Sequence, residues 1–135
     1  MAIFIDTGVF VALRNADDEL HVRSRELMKK ALKGEYGRLY TSDFVIYEAI
    51  TTALVRTRRH DFAVDIGKYI IESPRITKLW ITKEAFDLAW EKFKAFVDKP
   101  LSFSDCVSLA FMEKNRVNQI MSFDSGFDGL IQRIY

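Results

Sequence analysis

The stretch Met1-Ala2-Ile3-Phe4-Ile5-Asp6-Thr7-Gly8 decides how the rest of the chain is read. It is apolar at successive positions rather than at alternate ones, which suits a central parallel strand covered on both faces. Asp6 is the first group to leave that cover. Thr7 and Gly8 supply turn chemistry, and Val9-Phe10-Val11-Ala12-Leu13 opens a helix that folds back over the sheet. Ligands of open α/β sheets bind beyond the carboxyl ends of the strands, so Asp6 is the first place to look for chemistry. The competing role for Asp6 is N-cap of the following helix.

The bulk numbers bound the answer without deciding it. At 135 residues and a formal net charge of +1, residues 1–135 are expected to form one domain with a sizeable core and no dominant field. The single cysteine, Cys106, leaves no internal disulfide and no Cys cluster for zinc, so a reducing, cytoplasmic setting is expected, with Cys106 packed as a small buried side chain. The first apolar run stops after five residues without a basic leader, and no signal peptide or membrane span is expected.

Leu20 through Lys33 reads as an amphipathic helix with Leu27, Met28, Ala31 and Leu32 inward. His21, near its start, is expected to cap or pack rather than bind metal, because no second His stands at ligand spacing. Arg38-Leu39-Tyr40-Thr41 is a short strand, and Ser42 sits where an N-cap belongs for a helix over 43–59. Apolar residues surround Glu48 in almost every direction on that helix, predicting a buried helix and a carboxylate that needs a partner or a cation. The basic run Arg56-Thr57-Arg58-Arg59-His60 at its end suits the helix dipole or, alternatively, phosphate contact. A helical stripe through Phe62, Ile66 and Ile70 breaks at Ser73-Pro74, a strand follows over 75–82, and Thr82 caps the next helix. Phe86, Ala89, Trp90, Phe93, Phe96 and Val97 form an aromatic stripe there, expected to be core, with Pro100 closing the helix. Asp105 falls in the first turn of another apolar helix, Gln119-Ile120-Met121 is a strand, Asp124 follows it as Asp6 follows the first, and 132–135 is a last edge strand.

Four carboxylates therefore stand at two strand ends (Asp6, Asp124), a helix start (Asp105) and inside an apolar helix (Glu48). Strand carboxyl ends and the N-termini of the following helices share one edge of a parallel sheet, so three of the four converge by topology, and Glu48 joins them if its helix starts there. Such a group repels itself unless a cation is present, and all-oxygen ligation without His or Cys selects Mg²⁺ or Mn²⁺. Mg²⁺ held this way keeps waters and binds phosphate, the apparatus of phosphodiester hydrolysis. Neither histidine stands beside Cys106 or a nucleophile motif, and there is no glycine-rich phosphate loop.

In four ordered motifs the chain resembles the PIN domain family, and within it the VapC-type toxins: Ile5-Asp6-Thr7; Thr41-Ser42 followed by Val45-Ile46-Tyr47-Glu48; Leu101-Ser102-Phe103-Ser104-Asp105-Cys106; and Ser122-Phe123-Asp124 leading to Phe127. The resemblance spans essentially the whole chain. It implies an α/β fold, a three-layer α/β/α sandwich on a mostly parallel sheet, with Asp6, Glu48, Asp105 and Asp124 as a metal-binding quartet and Ser104 steadying it. It also implies Mg²⁺- or Mn²⁺-dependent endoribonuclease activity leaving a 5′-phosphate and a 3′-hydroxyl, a homodimer, and inhibition by a small cognate antitoxin. Gly126 stands where many members carry a further acid, and Cys106 replaces a common alanine. On the leading reading Asp6, Asp105 and Asp124 bind the cation, Glu48 binds it or positions the attacking water, and Arg56, Arg58 and Arg59 contact RNA phosphates. The rivals are a non-catalytic α/β domain whose acids bind a structural cation or a basic partner, and a phosphoryl-accepting domain, which wants paired acids after the first strand.

Overall fold

Ile3, Phe4 and Ile5 in the first strand, β1 (Ala2–Ile5), are each fully buried although successive strand residues point to opposite faces. Both faces of the sheet are therefore covered, as the apolar run requires. The computed structural model describes residues 1–135. After β1 come α1 (Thr7–Arg14), α2 (His21–Leu32), β2 (Arg38–Ser42), α3 (Asp43–Thr57), α4 (His60–Ile71), β3 (Ile76–Leu79), α5 (Lys83–Ala95), α6 (Phe103–Lys114), β4 (Gln119–Met121), a 3-10 turn (Ser125–Phe127) and β5 (Gln132–Ile134). The sheet order is β3-β2-β1-β4-β5 and every pairing is parallel, giving the expected α/β sandwich with β1 at its centre.

Strand order runs outward from β1 in both directions, so a topological switch point lies between the carboxyl ends of β1 and β4. Three of the four crossovers are helix pairs. The fourth, from β4 to β5, is the short return Ser122–Ile131. Local chemistry places the ends of the elements at this edge. The buried Thr41 hydroxyl donates to the Ile5 carbonyl (2.9 Å), fixing the last turn of chain before Asp6. Ser42 accepts from the Val45 N–H (3.3 Å) and caps α3, while the buried Asp43 carboxylate accepts from Phe44 N (3.0 Å) and Ile81 N (3.0 Å), tying the start of α3 to the end of β3.

Two expectations about burial are corrected. The helix buried nearly all round is α6, whose residues Cys106 to Met112 are all buried, and not α3, where Tyr47 and Val55 are about two-thirds exposed (65% and 64%). α3 packs against α4 and leaves its Tyr47 and Val55 side in solvent, whereas α6 is in contact with both α5 and α3. The aromatic stripe of α5 is not core either: Ala85 and Ala89 face inward, while Phe86, Trp90 and Phe93 remain 41–46% exposed. Those rings close instead around Phe103, with centroids at 5.3, 6.4 and 6.0 Å. α5 ends at Ala95, before Pro100 can act, and α3 ends at Thr57 because Arg58 takes a left-handed conformation (φ 58°).

Gly37, at the entrance to β2, has φ +76°, and a Cβ there would overlap the Met1 carbonyl, the acceptor for Arg38 N (3.1 Å). Gly37→Ala is expected to lower unfolding free energy by about 2 kcal/mol or more in urea titration, from positive-φ strain plus the displaced start of β1.

Candidate active site

Asp6 occupies the N-cap position of α1 yet makes no side-chain capping bond, which removes the competing role for it. Its backbone N–H still pairs with the Met121 carbonyl (3.0 Å), and its Oδ2 accepts the hydroxyl of Ser122 (2.7 Å). Ser122 is fully buried at the equivalent position beyond β4, and its Oγ also accepts the Asp124 N–H (3.0 Å). One hydroxyl thus links the acids of two neighbouring strand ends. Asp124 is exposed, and its Oδ1 accepts from Gly126 N (2.8 Å), nucleating the 3-10 turn.

Glu48 is half-buried and faces this edge from α3. Thr7 Oγ1 donates to Oε2 (2.9 Å), and the Ser104 hydroxyl donates to Oε1. Asp105 forms a capping box with Ser102: its N–H donates to Ser102 Oγ (3.1 Å) and its Oδ2 accepts from Ser102 N (3.0 Å). The Ser102 and Ser104 hydroxyls lie 3.2 Å apart. All four expected acids, with Ser104, are brought together. Asp6, Glu48, Asp105 and Asp124 line one cleft of about 220 Å³ with Thr7, Thr52, Arg56 and Phe123. A larger cavity, about 500 Å³ between α1, α2 and α4, is mostly apolar and holds no such cluster.

Glu48, Thr52 and Arg56 follow one another at helical spacing, so α3 presents an acid deep in the cleft and a base at its lip. The other two arginines of the run are elsewhere. Arg58 forms the C-cap of α3, and Arg59 pairs with Asp61 (2.7 Å) in solvent. His21 behaves as expected: its Nδ1 lies 2.8 Å from the Ala12 carbonyl, packing α2 on α1. Thr7, Ser122 and Ser102 are the site residues that the sequence marks only as turn or cap chemistry. Their signal is proximity in sequence, since Thr7 follows Asp6, Ser122 lies two residues before Asp124 and Ser102 three before Asp105.

Burial pushes Asp6 up to about 6, opposed by the Ser122 hydroxyl and reinforced by repulsion from Asp105 and Glu48. Burial also raises Asp105, with Asp124 and Glu48 adding to it. The donor set is all carboxylate and hydroxyl, and the charges it places near one another are the kind a hard divalent cation relieves, so the residues fit Mg²⁺ or Mn²⁺. No three acids, histidines or cysteines stand together as a ready-made ion site, and each of the four carboxylates is held by its own hydroxyl or amide partner.

Comparison with known protein families matches the PIN domain over residues 3–130, and the chain belongs to that family. It is 28% identical to a VapC ribonuclease of Archaeoglobus fulgidus, over 94% of this chain and 80% of that protein. It is also 28% identical to the 23S rRNA-specific endonuclease VapC20 of Mycobacterium tuberculosis, over 93% and 91%. The crystal structure of VapC20, described as a sarcin-ricin loop cleaving toxin, superposes with a TM-score of 0.81 over 93% of this chain and 92% of that one. A toxin–antitoxin complex from Klebsiella pneumoniae, 14% identical, shares the fold with a TM-score of 0.66 over 100% and 97%.

A carboxylic acid whose pKa is raised on folding binds its proton more tightly in the folded state. Its contribution to stability is therefore present at low pH and lost as pH rises through the window from 3.8 to about 6. Metal-free protein should lose thermal stability across that window. Asp6→Asn should flatten the loss and raise unfolding free energy at pH 7 by about 1–3 kcal/mol, read by denaturant titration at pH 4 and 7 in EDTA.

Proposed function

We propose that this chain is a metal-dependent endoribonuclease, the toxin of a VapBC-type toxin–antitoxin pair, acting in the cytoplasm. The observation that carries the reading is the convergence of Asp6, Glu48, Asp105 and Asp124 on one cleft at the switch point of a PIN sheet. Similarity to VapC ribonucleases supports RNA as the substrate.

Asp6, Asp105 and Asp124 would hold the cation, each keeping an oxygen free of the hydrogen bonds that orient it. When bound, a Mg²⁺ or Mn²⁺ ion would neutralise charge on the scissile phosphate and acidify a water. Glu48 has a different task. Hydroxyl donors on both its oxygens fix the plane of the carboxylate and leave each oxygen a lone pair to accept from a water, so Glu48 orients the nucleophile and takes up its proton. Arg56, which lines the cleft from α3, would contact a phosphate of the RNA backbone.

An antitoxin needs a surface, and apolar side chains are available for one. Leu54, Val64 and Ile71 are 40–53% exposed and line a groove between α3 and α4, while Trp90 and Phe93 are exposed on α5. A homodimer would use such apolar area as well.

Purified protein is expected to cleave end-labelled single-stranded RNA in Mg²⁺ or Mn²⁺ and to stop in EDTA. Asp6→Asn, Asp105→Asn and Asp124→Asn should each lower the rate about 10²-fold or more while the circular dichroism spectrum is unchanged. Arg56→Ala should raise KM for RNA more than it lowers kcat. A fully active Asp105→Asn would contradict the reading. Metal binding without cleavage of any RNA tried would instead favour a domain whose acids serve binding alone.

A further inference from the structure

Asp124 is the least supported of the four acids. It is exposed, its carboxylate accepts one main-chain bond, and it lies on the only crossover without an α-helix, between Ser122 at the end of β4 and Ile131 before β5. Parallel strands are ordinarily joined by a dozen or more residues, so this return is tight and must be held in shape by something other than a packed helix. Phe127, fully buried, anchors its middle.

The side chain that ties the start of this return to its later part is Arg133, on β5. Its Nε and Nη2 donate to the two carboxylate oxygens of Asp128 (2.7 and 3.0 Å), and its Nη1 donates to the main-chain carbonyl of Ser122 (3.2 Å). The guanidinium also stacks on the Tyr135 ring at 3.6 Å. Only 8% of this side chain is exposed. Arg133 is the most covered of the charged side chains in ion pairs on this chain, and unlike the bidentate Arg14 and Arg59 it has a third donor in use, on a main-chain carbonyl. The two groups it grips, Ser122 and Asp128, bracket Asp124. Ser122 is also the residue whose hydroxyl ties Asp6 to Asp124.

We propose that Arg133 is a positioning residue for the acidic site: by clamping Ser122 and Asp128 it fixes the return that presents Asp124, and through the Ser122 main chain it keeps the Ser122 hydroxyl aimed at Asp6. The proposal rests on the metal-dependent reading of the site. The requirement is for geometry rather than charge, because a lysine has no planar fork with which to span the Asp128 carboxylate and the Ser122 carbonyl at once.

The test is Mn²⁺ binding to the intact chain by titration calorimetry at fixed pH, with the thermal midpoint of each metal-free variant measured beside it. Arg133→Gln, Arg133→Lys and Asp128→Asn are each expected to weaken Mn²⁺ binding about ten-fold, the loss that follows from disturbing groups that orient metal ligands. In an Asp124→Asn background, Arg133→Gln should cost clearly less than it does in the parent chain, only what is lost through the aim of Ser122 at Asp6. Asp128→Asn leaves the arginine in place on an exposed partner, so it decides the matter if Arg133→Gln does not fold. The proposal is overturned if Asp128→Asn and Arg133→Gln bind Mn²⁺ as the parent chain does, if Arg133→Lys restores full affinity, or if Arg133→Gln costs the same factor with and without Asp124. A parent chain that binds no Mn²⁺ overturns the metal-dependent reading and this proposal with it, whereas normal binding by all the variants overturns this proposal alone.

Discussion

No ion pair of the chain reaches the four carboxylates of the cleft. The salt bridges all lie elsewhere, and what holds Asp6, Glu48, Asp105 and Asp124 are hydroxyls and main-chain amides. This uncompensated charge is the constraint the rest of the structure serves. A lysine or arginine inserted among the acids would relieve their repulsion, but it would also occupy the space and the field that a cation and a phosphate need. Neutral donors orient the carboxylates without cancelling them. The cost appears in Asp6, whose ordinary ionisation is suppressed by burial and by its acidic neighbours. A fold can carry that cost because β1 is covered on both faces, and its large buried side chains each contribute roughly 1.5–3 kcal/mol relative to exposure.

The architecture was legible from β1 because a strand buried on both faces leaves an unambiguous pattern, and because a parallel sheet places all its carboxyl ends on one edge. Asp6, Asp105 and Asp124 could be grouped on that ground alone, and Ser104 by resemblance. What could not be read was lateral position within a layer. Composition makes α3 and the α5 stripe look buried, yet whether an apolar helix face meets the sheet, a neighbouring helix or water depends on which helices pair, and that is a property of the whole fold. The hydroxyl network was hidden for another reason. Serine and threonine near a strand end are expected for turns and caps whatever else they do, so only geometry separates Ser122, which bridges two acids, from a serine that caps a helix. Arg133 had no signature in periodicity or motif, since its partners, Asp128 and Ser122, lie 5 and 11 residues back in the irregular return from β4.

The exposed apolar surfaces belong to the same account. Phe86, Trp90 and Phe93 around Phe103, and Leu54, Val64 and Ile71 between α3 and α4, lie on helices whose opposite faces are firmly packed. Their exposure goes with well-packed opposite faces, and exposed apolar surface of this kind is the usual material of protein–protein contacts. A site that is anionic and open, beside apolar surface, can be controlled by a partner that covers it without any change to the carboxylates themselves.

The placement of the central strand has a consequence for the order of events during synthesis. β1 is made well before its neighbour β4 and the Asp124 return, and the Ser122–Asp6 bond joins residues 116 apart in sequence. Such distant pairings form slowly, after the intervening segments have emerged and closed a long loop. The two acids of the switch point therefore meet only as the final strands dock. Until β4 and the Asp124 return have left the ribosome, the nascent chain carries its acids on an unassembled cleft.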